Sequence, residues 1–188
     1  MPKLGIVFFF IVQVSYEVLS QDLDAETENL HTAARRGDLE GAQAALANGA
    51  LINKQGGGKQ TPLMSATLSG QAEIVQLLLD QGADVTIGEQ DGYTAVHGAG
   101  FQGRATVMSV LASKGLDIGD MHGDGFTPLH RACWGREQRH TDTVLVLLKH
   151  GVPPNQPANN GATCLEMTQN DATKFLIRHE LEKLSGEL

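Results

Sequence analysis

Thr127-Pro128-Leu129-His130 decides the fold of this chain, because similar four-residue blocks return along the sequence at a regular interval. The blocks begin at residues 61, 94, 127 and 163, so the first three are spaced 33 residues apart. A period of this length is typical of a stack of similar units, each of which contacts mainly its neighbours. The related blocks are Thr61-Pro62-Leu63-Met64, Thr94-Ala95-Val96-His97 and Thr163-Cys164-Leu165-Glu166.

The unit from Asp91 to Leu116 shows how the sequence predicts local structure. Asp91-Gly92 favours a tight turn, because glycine adopts positive φ without strain. Thr94 follows as a predicted helix N-cap, and the helix is expected to end at Gly103. A second helix has apolar residues on one face, and Gly115 is expected to end it. The apolar face consists of Val107, Val110 and Leu111. A single pair of helices cannot bury this face, so several units must stack.

These signals resemble the ankyrin repeat family, whose units read Asp-Gly-x-Thr-Pro-Leu-His, then Ala, Gly, Leu-Leu and Gly-Ala-Asp. The segments 124–132 and 77–84 carry the resemblance most closely, and it covers about residues 26–184. It implies an all-α solenoid of stacked helix-turn-helix units joined by β-hairpin-like loops. The repeats implied are about 28–60, 61–93, 94–126, 127–162 and 163–184.

The first twenty residues are interpreted as a signal peptide. Leu4 to Val14 is an uncharged, almost wholly apolar run of about eleven residues, against the roughly twenty that a membrane-spanning helix needs. Cleavage would leave residues 21–188 as the mature ankyrin repeat domain, starting near Gln21 and located outside the cell or in the secretory-pathway lumen. Two alternatives stay open: an uncleaved anchor that makes the chain a membrane-tethered adaptor, or a misassigned start codon and a cytoplasmic location.

The charge of the chain limits its partners. The formal net charge is −8, and it stays −8 without the first twenty residues because Lys3 and Glu17 cancel. This balance argues against nucleic acid and, after signal cleavage, against an anionic membrane. The resemblance implies a non-enzymatic interaction module whose partner is another protein, and we expect a monomer.

Two cysteines, Cys133 and Cys164, are expected to remain unpaired. They fall at the seventh and second positions of neighbouring blocks, hence on neighbouring helices. Helix axes in contact are about 10 Å apart, which is longer than the ~7 Å between Cα atoms that a disulfide allows.

One glycine motif suggests an alternative class of function. Residues 98–103 read Gly-Ala-Gly-Phe-Gln-Gly, the G-x-G-x-x-G pattern that binds dinucleotides in some enzymes. That role requires a strand before the first glycine and a helix opening after it, whereas the repeat phase places Gly98 inside a helix. A nucleotide-binding enzyme is therefore the less favoured alternative, and no cofactor is expected.

A metal site and a catalytic site are also not expected. Four potential metal ligands are close in sequence, but no pair has the spacing of a zinc motif, and one histidine already belongs to the repeat block. No catalytic triad or pair of carboxylates stands out. The four ligands considered are His122, His130, Cys133 and His140.

The predicted partner-binding surface follows from the resemblance. In ankyrin repeats, the loop tips and first helices form a concave groove, and residues just before the Thr block or eight to nine positions into it contact partners. Four aromatic residues take such positions here, and aromatic residues concentrate binding energy at interfaces. The alternative is that the rings only seal the contact between repeats. The predicted site is Tyr93, Phe101, Phe126 and Trp134, with a polar rim of Asp91, Gln102, Asp124 and Arg131.

Two departures from the repeat pattern carry further expectations. The segment 135–142 is three residues longer than its counterparts, and we expect it to lengthen the turn between two helices, either as a tolerated loop or as a partner contact. Gly98 and Gly100 lie inside a first helix, each at a cost of about 0.8–1 kcal/mol relative to alanine. The third repeat is therefore expected to be the softest internal one.

Overall fold

The structure, a computed structural model, describes residues 21–186, which form consecutive pairs of helices. The first pair is α1 (21–36) and α2 (Leu39–Ala47), and a 3₁₀ turn at Gly57–Lys59 follows it. The predicted signal peptide lies outside the described residues. The remaining pairs are α3 (Pro62–Ser69) with α4 (Ala72–Asp80), α5 (Ala95–Gln102) with α6 (Ala105–Ser113), α7 (Pro128–Trp134) with α8 (Gln138–Lys149), and α9 (Cys164–Met167) with α10 (Asp171–Ser185).

The helices form two stacked rows. The first helices α3, α5, α7 and α9 contact one another in succession, and so do the second helices α4, α6, α8 and α10. Within residues 21–186 there is no β-strand, and the one β-type pairing found there is an isolated bridge between Pro157 and Thr163. The predicted all-α solenoid is thereby confirmed.

Four loops repeat one hydrogen bond, in which a backbone N–H donates to the carbonyl group four residues later. Its length is 2.9–3.1 Å, and each of these loops contains a glycine with positive φ. At Gly125, for example, φ is +86°, a value that L-residues rarely adopt. The tight turn expected at Asp91-Gly92 is therefore present, and the loops at Asp124-Gly125 and Asn160-Gly161 repeat it. The bonds are Gly56 to Gln60, Glu89 to Tyr93, His122 to Phe126 and Ala158 to Ala162.

The core runs along the stack between the two rows. Second helices contribute branched residues, and first helices contribute alanines that let neighbouring helices approach closely. Burying these apolar side chains supplies the main stabilisation of the fold. Fully buried examples are Leu78, Leu111, Leu147 and Ile177 from the second helices, and Ala66, Ala99 and Ala132 from the first.

Buried histidines tie first helices to the loops that follow them. Nε2 of His97 donates to the carbonyl of Asp120 at 3.1 Å, and its Nδ1 accepts from the Thr94 hydroxyl at 2.9 Å. His130 repeats both contacts with Gln156 and Thr127, at 3.1 and 2.8 Å. His31 makes only the loop contact, a 2.9 Å bond to the Lys54 carbonyl. Burial lowers the pKa of all three imidazoles, so they are held neutral.

The two cysteines form a disulfide, and the prediction that they remain unpaired was wrong. Their Cα atoms are 5.6 Å apart, and both residues are fully buried between α7 and α9. The prediction compared the separation of helix axes with a limit that applies to Cα atoms. Because Cα atoms lie about 2.3 Å from their helix axis, two that face each other are about 4.6 Å closer than the axes. Gly100 and Pro128 occupy the same two positions one repeat earlier, and there the backbones are nearly in contact.

The insertion at 135–142 lengthens α8 by three residues and the preceding turn by only one, so the expected longer turn accounts for the smaller part of it. α8 has twelve residues, whereas α4 and α6 have nine each. The turn gains a single residue over its counterparts. The extra helical turn brings the His140 ring against Gly135, where an added Cβ would lie 1.9 Å from the His140 Cγ.

Candidate functional site

The candidate site lies where the third and fourth repeats meet. Tyr93 and Phe126 directly precede the N-cap residues of α5 and α7, so the shared repeat geometry places them side by side. Phe101 lies near the end of α5, and Trp134 ends α7. Arg131 also lies in the last turn of α7, one helical turn before Trp134.

Arg131 is the centre of a cluster that we call the Arg131 cluster, made of Tyr93, Asp124, Phe126, Arg131 and Trp134. Arg131 is only 8% exposed, and its guanidinium forms an ion pair with Asp124. Nη2 also donates to the Tyr93 hydroxyl at 2.9 Å, and that hydroxyl donates to Asp124 Oδ2 at 2.9 Å. A buried cation needs such partners, because desolvation is costly without them.

Three aromatic rings surround the guanidinium. Cζ of Arg131 lies 4.6 Å from the centroid of the Trp134 ring, 4.8 Å from Tyr93 and 5.3 Å from Phe126. Each distance is within the range of a cation–π interaction. Phe126 and Trp134 also contact each other, with centroids 4.9 Å apart. The cluster therefore holds Trp134 in one orientation while 41% of the residue stays exposed.

The electrostatics of the cluster keep Asp124 ionised. Partial burial opposes its charge, but hydrogen bonds from Tyr93, His122 and the Phe126 backbone, together with the Arg131 charge, lower its pKa to about 2. Burial raises the pKa of Tyr93, and its hydrogen bond to Asp124 adds to this shift, so the phenol stays protonated. At neutral pH the cluster is therefore a closed ion pair with a neutral phenol.

A pocket opens beside the cluster, and we call it the Phe101 pocket. Its volume is about 420 Å³, which falls within the range of ligand-binding pockets. Phe101 is 54% exposed at this pocket, although it is a large apolar residue. The lining residues are Leu68, Glu89, Tyr93, His97, Gly98, Phe101, Gln102 and Arg131.

The structure brings together most of the predicted site residues, but it changes their roles. Arg131 is not part of a polar rim: it is buried at the centre, because the aromatic rings and Asp124 enclose it. Gln102 lines the pocket as a polar residue. The side chain of Asp91 is not part of the cluster; its backbone carbonyl instead accepts from His122 Nε2 at 3.1 Å.

Sequence reasoning missed three residues of the site. His122 stacks on Tyr93 with ring centroids 3.9 Å apart and bridges two loops. Leu68 and Glu89 line the Phe101 pocket from the preceding repeat. For His122 the available signal was its place four residues before Phe126. At this loop position the backbone N–H donates the hydrogen bond that the loops repeat.

The geometry does not support the alternative chemistries at the motifs that suggested them. Residues 98–102 lie inside α5 and Gly103 caps it, so the strand that a dinucleotide site requires does not precede the motif. Among residues 21–186, no group of three or more His, Cys, Asp or Glu residues is arranged to hold a metal ion. No helix in that range is long and apolar enough to span a membrane.

Comparison with known families identifies the repeats. A family model for ankyrin repeats, in three copies, matches the chain at residues 4–89, 30–122 and 87–158. These overlapping matches cover most of the chain. No curated protein matches it.

Proposed function

The chain belongs to the ankyrin repeat family, and from this premise we propose that it is a non-enzymatic module that binds a partner protein. Ankyrin repeats are generally protein–protein interaction modules. The proposed contact surface consists of the Arg131 cluster and the Phe101 pocket, because both lie where the first helices and the loops meet.

The observation that carries this proposal is the exposure of two large aromatic side chains at one place. Phe101 is 54% exposed and Trp134 is 41% exposed, and they flank the buried Arg131. A ring that only sealed the contact between repeats would be covered. Rigid, partly exposed aromatic residues are the type that dominates binding energy at protein interfaces.

The test is a paired substitution with a matched control. We expect Phe101→Ala together with Trp134→Ala to retain helicity and to lose capture of partner proteins identified by cross-linking and mass spectrometry. Tyr93 is left intact, because its hydroxyl belongs to the Arg131 ion pair. The control is Phe175→Ala, which removes another exposed phenylalanine (68%) on α10. Equal loss in both variants, or no loss in the double variant, contradicts the proposed surface.

We also propose that the chain acts outside the cell or in the secretory-pathway lumen. The disulfide between Cys133 and Cys164 supports this proposal, because disulfides persist in oxidising compartments and are rare in the cytosol. The predicted signal peptide is consistent with it. N-terminal sequencing and intact mass of the protein from a secreting host test the proposal: a start near Gln21 supports it, and retention of Met1 contradicts it.

A further inference from the structure

The loop that borders the Phe101 pocket and the corresponding loop of the next repeat are strongly acidic. Residues 84–93 and 117–126 contain six carboxylates and no lysine or arginine. Asp124 is paired with Arg131, whereas none of the other five acids forms an ion pair with a lysine or arginine among residues 21–186. Electrostatic complementarity therefore favours a cationic partner at this edge of the stack. The other acids are Asp84, Glu89, Asp91, Asp117 and Asp120.

The pocket itself combines apolar walls with one unneutralised carboxylate. Leu68, Gly98 and Phe101 supply apolar surface, and Glu89 lines the same pocket. Within residues 21–186, the side chain of Glu89 takes part in one hydrogen bond, a 3.2 Å bond that it accepts from Gln60. It forms no ion pair with another residue of that range. Its second oxygen is free to accept a further donor.

Arg131 provides a second, independent feature. It lines the pocket and is more than nine-tenths buried, yet its Nε has no hydrogen-bond partner within the described residues. Leaving a buried donor unpaired costs free energy, and because Nε is itself covered, a bound segment can recover this cost only if the Arg131 side chain shifts to expose it. Because Asp124 already offsets the guanidinium charge, Arg131 does not repel a cation that binds beside Glu89.

Building on the proposed function, we propose that the Phe101 pocket binds an arginine or lysine side chain from a segment of the partner protein. Glu89 pairs with the cation, and Leu68 and Phe101 cover its methylene stem, as apolar surfaces do for long basic side chains. The partner is thus recognised by a basic residue within an otherwise uncharged or basic segment.

The experiment is a selection of displayed random dodecapeptides on the full chain. We expect the enriched peptides to share an arginine or lysine at one position. Glu89→Gln should weaken binding of a selected peptide about tenfold, which is the loss expected for one charge-assisted contact in a partly enclosed site. Glu73→Gln on α4 is the control: it removes the same charge from an exposed residue outside the pocket, and it should leave the affinity unchanged.

A double-mutant cycle completes the test. Replacing the shared basic residue of the peptide by glutamine should cost little further affinity once Glu89 is glutamine, because both changes remove the same contact. Additive effects, peptides without a shared basic residue, or a selection without enrichment overturn the inference. If binding instead persists in the variant that combines Phe101→Ala with Trp134→Ala, the proposed surface itself is wrong. If binding is lost in that variant but the cycle shows no coupling between Glu89 and the basic residue of the peptide, the proposed surface stands and only the basic-residue inference is overturned.

Discussion

Gly100 lies directly against the backbone of Pro128, so that a Cβ on Gly100 would come within 2.5 Å of the Pro128 carbonyl oxygen and 2.9 Å of its Cα. The same pair of repeat positions is occupied by Cys133 and Cys164 in the next repeat, where the disulfide forms. At this register the backbones of neighbouring first helices therefore lie close together in both repeats.

Gly100→Ala should destabilise the protein by roughly 1–3 kcal/mol, because the added methyl group meets backbone atoms that cannot move aside cheaply. Helix propensity alone predicts the opposite sign, a gain of about 1 kcal/mol. Urea unfolding followed by circular dichroism measures the difference. Gly123→Ala is the control, since a Cβ added there would meet no atom within 4 Å and its φ is not positive. A stabilised Gly100→Ala variant would show that the helices can separate freely.

Removing the disulfide should lower the free energy of unfolding by about 3–4 kcal/mol, as expected for a cross-link between residues 31 apart in sequence. The measurement compares urea midpoints of the wild type with those of the Cys133→Ala, Cys164→Ala double variant. Because both residues are fully buried, the native protein should resist mild reductants and thiol alkylation. Rapid alkylation of the native protein by iodoacetamide after addition of dithiothreitol would contradict the buried bridge.

Asp124→Asn should cost roughly 1–3 kcal/mol of stability, because it leaves the buried Arg131 without its counter-charge. This value lies below the roughly 3–5 kcal/mol typical of breaking a fully buried pair, because the Asp124 side chain is 32% exposed. Asp91→Asn is the matched control: it removes an exposed carboxylate from the equivalent Asp-Gly turn one repeat earlier. Thermal unfolding should separate the two variants, and equal melting temperatures would contradict a structural ion pair.

The same carboxylate should produce a pH dependence at the acidic end. The folded-state pKa of Asp124, about 2, lies below the unfolded value of about 3.9. Its contribution to stability is therefore complete above about pH 4 and disappears as the pH falls toward 2. In urea titrations between pH 4 and pH 2, Asp124→Asn should lose less stability than the wild type. If both proteins lost the same stability between pH 4 and pH 2, the titration of Asp124 would not be the cause.

Stability should also fall as the pH decreases below about 6.5, because His31, His97 and His130 are neutral in the folded state and protonate more readily when unfolded. Each histidine contributes at most about 1.4 kcal/mol per pH unit in that window. His97→Gln should reduce the slope of unfolding free energy between pH 7 and pH 5. Between pH 7 and pH 8 the histidine contribution should be flat in both proteins, and an unchanged acid slope would contradict the assignment.

Local signals in the sequence were sufficient for the helix starts and the loop turns, although not for the length of α8. Thr61, Thr94 and Thr127 occupy N-cap positions, and Asp-Gly pairs form the loop turns, because these preferences act between residues close in sequence. The period of 33 residues then determines which helices are neighbours. The fold class could therefore be predicted in full from the sequence.

The interior of the site could not be predicted in the same way. Asp124 and Arg131 lie on different elements, and no periodic pattern reveals that a ring of aromatic side chains encloses the arginine. A charged residue in a repeat loop normally faces solvent. The register of Cys133 and Cys164 was known, but the distance between side chains on packed helices depends on which faces meet.

The contact between a first helix and the loop that follows it is kept despite the insertion. The loop bond of His97 spans 23 residues, and that of His130 spans 26. The added residues extend α8 by one turn while the histidine still reaches its loop. The repeat therefore accommodates the extra length without losing the contact between its first helix and the following loop.

The bridge between α7 and α9 makes the two ends of the stack unequal. In a solenoid, each terminal unit is held by one neighbour alone, so both ends ordinarily fray. Here α9 is covalently joined to α7, and its departure must strain or carry with it the unit beneath. The helices α1 and α2 have no such link within the described residues. We therefore expect opening of the described stack to start at the pair α1 and α2 and to reach the cross-linked pair α9 and α10 last.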